Sequence, residues 1–220
     1  MPNSTLPHRQ RPSRDRRGVN QETMKYTFKA PTLTPGKRSM LERTAEWIKK
    51  LASDLEAPKA RLDELDLALA KAQARKVKYE KDAALNPDAA LQLTGAEAQI
   101  SRLSPQVASL RKSLERQTET AIQQVNITRS TDVRELLFGP LLDQLVASIE
   151  AAISPFFADG WARQHARNIA QHNCPQYRAL MFYLNRPPIT LVEFEDAKRE
   201  ITAFGGEIQK ILAGETIFEA

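Results

Sequence analysis

His165, His172 and Cys174 form the one grouping of imidazole and thiol side chains in this 220-residue chain that invites a chemical reading. Ligation of one ion from a single helix needs ligands three or four residues apart, so that both side chains project to one point. His165 and His172 are seven apart, which separates their Cα atoms by about 10.5 Å along a helix axis. One ion cannot take both directly. Cys174, placed before Pro175, reads as a small residue tucked in at a helix end. No glycine-rich phosphate loop, nucleophile elbow or zinc-spaced Cys/His cluster occurs in the sequence. The expectation is therefore no catalytic residue, no metal and no cofactor. An enzyme would have to build its site from Trp161, His165, Asn168 and His172.

Binding chemistry is better represented. Between Gly160 and Val192 there is no Asp or Glu, while Arg163, Arg167, Arg178 and Arg186 are interleaved with Trp161, Tyr177, Phe182 and Tyr183. Arginines that contact phosphates, beside rings that stack on bases, are the ingredients of a nucleic-acid surface. The same residues also suit an ordinary head: the rings form a core, and the arginines pair with Glu193, Glu195, Asp196 and Glu200. We favour the second arrangement, because those acids begin immediately after the patch. The N-terminus repeats the ambiguity with Arg9, Arg11, Arg14, Arg16 and Arg17. Residues 1–25 account for four of the five net positive charges, so the rest of the chain is close to neutral. Such a tail predicts weak, salt-sensitive polyanion binding and no more.

The elements that must carry these residues are helical. Leu41, Ile48, Leu55, Leu62 and Leu69 recur every seventh residue, and Ile100, Leu103, Val107, Leu110 and Leu114 form a second ladder. Spacing that alternates three and four keeps one narrow apolar seam on a helix, as in a coiled coil. Eight glycines and little strand-like alternation complete an all-α assignment: a long antiparallel coiled-coil helical hairpin plus a small C-terminal helical bundle.

Residues 1–24, rich in Pro, Arg and Ser, read as a disordered basic tail, and 25–36 as an extended arm that lays Tyr26 and Phe28 on the body. The hairpin takes 37–128, with its tip at 86–95 marked by Asn86-Pro87 and Thr94-Gly95. Its first helix should run to about Leu85 and pass Pro58 as a kinked but continuous helix, because the heptad keeps its register there. The return helix should start near Ala96. Pairing about residue 90 sets Leu69 opposite Leu110 and Leu55 near Val125, leaving an overhang with Leu41, Trp47 and Ile48 to pack on the chain beyond Ile127. A small helical domain at 129–214 opens on a capping box at Asp132 and Glu135, and another at Thr190 and Glu193 starts its last helix, which Gly214 ends. Residues 215–220 are a tail.

A single cysteine and the lack of an uninterrupted apolar run of 18 residues fit a cytoplasmic protein without a membrane span. The functional expectation is a non-catalytic scaffold, adaptor or assembly protein acting through protein–protein contacts. Asn86, Asp88, Leu91 and Leu93 at the tip, with Trp47, are the candidate interface. A second copy of the chain is an admissible partner, because the return helix offers no charge code that fixes pairing. The alternative is a nucleic-acid-associated protein using the Arg-rich tail and segment 160–188.

Overall fold

The computed structural model describes residues 26–157, 160–190 and 193–219. The expected tail, including Arg9, Arg11, Arg14, Arg16 and Arg17, lies outside the described residues. The remainder is all-α, with one two-stranded antiparallel sheet. The order is β1 (Thr27–Lys29), α1 (Pro35–Glu80), α2 (Pro87–Thr128), a π-helical turn (Arg129–Val133), α3 (Arg134–Ile153), a 3-10 turn (Ser154–Phe156), α4 (Trp161–Asn173), α5 (Pro175–Leu184), α6 (Phe194–Ala213) and β2 (Thr216–Glu219).

The hairpin is formed by α1 and α2. Thr34 caps α1 and Pro35 stands in its first turn, where a missing N–H costs nothing. Leu41, Ile48, Leu55 and Leu62 are buried along one seam, and the helix continues through Pro58. The turn is tighter than the sequence predicts. Helix α1 ends at Glu80, and Asn86-Pro87 starts the return helix: the Asn86 side chain accepts from Asp88 N at 2.9 Å, with Pro87 at the first helical position. Thr94 and Gly95 lie inside α2, so the tip is Lys81–Asn86 and not 86–95. The register shifts with it. Asp66 pairs with Arg111 at 3.1 Å and Lys76 with Glu97 at 3.3 Å, which centres the hairpin near Pro87. Leu55 therefore shares a groove with Ala121, where pairing about residue 90 sets it near Val125.

The return helix does not stop near residue 128. It passes through the π turn into α3, giving one helical run from Pro87 to Phe156 of 70 residues. At the widened turn the Ile127 carbonyl accepts from Ser130 Oγ at 3.1 Å and Thr131 Oγ1 at 2.7 Å. Asp132 and Glu135 make no capping bond, because no helix starts there. Nor does Thr190 cap α6, which starts at Phe194 with Glu193 in the capping position and no side-chain cap bond. The long run holds an 18-residue window apolar enough to span a membrane by length and composition, a third of it buried. The buried apolar residues of α3 are Leu136, Leu137, Leu141, Leu142, Leu145 and Val146, and they face the core.

The overhang of α1 packs on α6. Ile48 lies so close to α6 that a Cβ at Gly205 would sit 3.3 Å from its Cγ2, and Lys198 reaches Glu56 at 2.7 Å. Gly214, left-handed at φ 74°, ends α6 with bonds to Ile211 O and Lys210 O. The chain then enters β2, so residues 216–219 pair with the arm at Thr27–Lys29 and are no free tail. Phe28 is fully buried and stacks on Phe218 at 4.5 Å, and Tyr183 stacks on Phe218 at 4.4 Å. One hydrophobic cluster links Phe28, the hairpin seam, α3 and α6, so the boundary expected at 128/129 falls inside a continuous core.

Candidate functional site

The acid-free segment after Gly160 divides between interior and surface. Arg186 and Tyr183 face inward. The Arg186 guanidinium lies 4.4 Å from the Tyr183 ring centre and donates from Nη2 to both Glu207 oxygens at 2.7 Å. Tyr183 donates its hydroxyl hydrogen to Glu207 Oε1. Burial, and then the Glu207 charge, push the Tyr183 phenol above its ordinary value of 10.0. Arg129, in the π turn, donates to Pro187 O at 2.7 Å. Burial, with Arg186 next, moves its guanidinium down from the usual value. Asn126 clamps the same strap at both ends of one residue: Nδ2 donates to Ile189 O at 3.0 Å and Oδ1 accepts from Ile189 N at 2.8 Å. This is a structural network. The acid that takes Arg186 is Glu207, and Glu193, Glu195, Asp196 and Glu200 take none of the four arginines among the described ion pairs.

The outward half is built on α4. Ala162, Ala166 and Ala170 recur every fourth residue and are buried, which sets α4 close against α3. Every other residue of α4 is exposed. Trp161 opens the helix at 60% exposure, and Phe156, just beyond α3, is 82% exposed. The His165 imidazole stacks on Phe157 with centroids 4.6 Å apart, and the Trp161 ring lies 6.4 Å from His165. Arg163 reaches toward Asp143 at 3.9 Å, a surface contact of little energetic weight. Arg167 and Arg178 are exposed, as is Phe182 near the end of α5.

His172 is exposed, and Cys174 is half-buried at the start of α5 with its Sγ 2.9 Å from Gln176 Oε1. The structure does not bring His165, His172 and Cys174 together as ligands. Among the described residues no three His, Cys, Asp or Glu side chains gather into a metal-binding group.

The tip carries a second set of exposed apolar side chains. Leu85 is 91% exposed and Leu91 71% exposed, while Leu93 is half-buried. Asn86 and Asp88 are exposed but committed to the cap of α2. Trp47 is half-buried against the core beside Gln124 and Ile127. Leu85, Phe156 and Phe157 are absent from the sequence-based candidates. The signal for the phenylalanines was available, since Ser154-Pro155 ends a helix and leaves the two rings beyond it.

Comparison with protein-family models, with curated proteins and with solved structures finds no match to this chain. What the fold defines is a class by architecture alone: an all-α helical hairpin whose return helix runs on into a helical head.

Proposed function

We propose that this protein is a non-catalytic spacer that holds two docking ends apart within a larger assembly. The observation that carries the reading is the placement of the two most exposed large apolar side chains among the described residues, Leu85 at 91% and Phe156 at 82%, with Leu67, Val77 and Ile127 less exposed between them. Leu85 and Leu91 stand at one end of the helical run Pro87–Phe156, and Phe156 with Trp161 stands at the other. Fully exposing a side chain as large as Leu or Phe forgoes about 1.5–3 kcal/mol of burial energy, and a contiguous apolar patch is a usual mark of a contact surface. Helix α1 alone is 46 residues, or about 69 Å, a reach that suits separation of partners.

The test is site-specific photo-cross-linking in the cells that make the protein, with a benzophenone side chain at Leu85 or at Phe156. A spacer gives adducts at both positions, with a different partner at each end and a protein at the tip. Adducts at neither position would remove the reading.

A further inference from the structure

We propose that the exposed side of α4, with the aromatic corner that precedes it, binds single-stranded nucleic acid. The proposal rests on reading this corner as a docking end and names its partner. Helix α4 contains no Asp, Glu or Lys. Opposite its buried alanines, helical periodicity places Gln164, Asn168 and Gln171, while Arg163 and Arg167 lie on the flank beside Asp143 of α3; all five are exposed. Arginine with neutral amides is a donor-rich surface that suits phosphates and base edges, and it offers little to an apolar protein face.

The flank at the helix start supplies stacking area. Trp161 and Phe156 are largely in solvent, and the His165 ring is already held face-on by Phe157. The rings lie on one flank of α4 and the two guanidinium groups on the other, with the amides between, so a strand crossing the helix can stack bases on the rings and meet the arginines with its phosphates. A duplex hides its base faces and could not use those rings, which is why a single strand is the occupant. Asp143, beside Arg163, is the one acid that contacts this surface among the described residues. Asp159 precedes α4 in the sequence and lies outside the described residues.

The experiment titrates the full chain with a twelve-residue oligothymidine, reading tryptophan emission and oligonucleotide anisotropy at about 20 and 200 mM salt. Two phosphates neutralised by Arg163 and Arg167 give a logarithmic salt slope of about −1.4, so affinity should fall at least roughly 25-fold across that range, any contact of the basic tail steepening it. Stacking should quench Trp161. R163A/R167A should abolish the quench, W161A should remove it while leaving residual anisotropy, and D143N should tighten binding several-fold. No quench at low salt overturns the proposal, as does an undiminished quench in R163A/R167A. An equal response to polyglutamate, which would mark an acidic-protein site, also overturns it. So does an emission blue shift with anionic vesicles in place of the oligonucleotide response. If the oligonucleotide fails while Phe156 still cross-links to a protein, only this proposal falls and the spacer reading stands.

Discussion

Arg111 on the return helix holds Asp66 on the outgoing one, its Nη2 3.1 and 3.2 Å from the two carboxylate oxygens. The pair is exposed and contributes little stability, but it reports the register in which α1 and α2 meet. Asp66→Cys with Arg111→Cys, in a Cys174→Ser background, should therefore be joined within single molecules by a short bismaleimide. Gel mobility at high dilution checks this, and dimer-sized products alone would contradict the hairpin.

Gly205 and Gly206 are adjacent in sequence and opposite in environment. A Cβ at Gly206 meets nothing within 4 Å, whereas one at Gly205 meets Ile48. Gly206→Ala should stabilise by about 0.5–1 kcal/mol through helix propensity. Gly205→Leu should cost about 1–3 kcal/mol, because α1 and α6 would have to part. Urea denaturation of the two variants gives the opposite signs directly.

Asn126 fastens the strap before α6 with two hydrogen bonds to Ile189. Asn126→Ala leaves both backbone groups of Ile189 without these partners, at a cost of about 1–3 kcal/mol. Hydrogen exchange should quicken at Ile189 while the α1–α2 seam stays protected.

Tyr183 should make stability fall in alkali. Its folded pKa lies above 10.0, so the unfolded chain releases the proton first as pH rises. The stabilisation is complete below pH 10 and declines above it. Tyr183→Phe should lose about 1–3 kcal/mol at pH 8 and show a shallower decline between pH 9.5 and 11. Tyr26, raised by burial, contributes to the slope that remains.

The helical hairpin was legible because its seam is written in leucines: Leu41, Ile48, Leu55 and Leu62 are buried as the heptad requires. Pro58 did not mislead, since the pattern keeps its register across it. Asn86-Pro87 did mislead, because the same dipeptide stops one helix or caps and starts the next, and only the packing of the two helices decides which. The π turn left no signal, since Ser130 and Thr131 serve a loop as readily as they back-bond to the Ile127 carbonyl. Arg186 was half-legible. Its need for an acid was plain, but Glu207 lies farther along than the acids that begin after the patch, and only the folded approach of α5 to α6 selects it.

The intramolecular hairpin, extended into a rod, is the claim on which the spacer reading stands. Small-angle scattering with absolute mass, at low protein concentration, measures both halves of it at once. The expected result is one chain of 24.8 kDa with a longest dimension of at least about 70 Å, set by α1. A radius of gyration near 17 Å, that of a compact 220-residue chain, or a mass of two chains at every dilution, would contradict it.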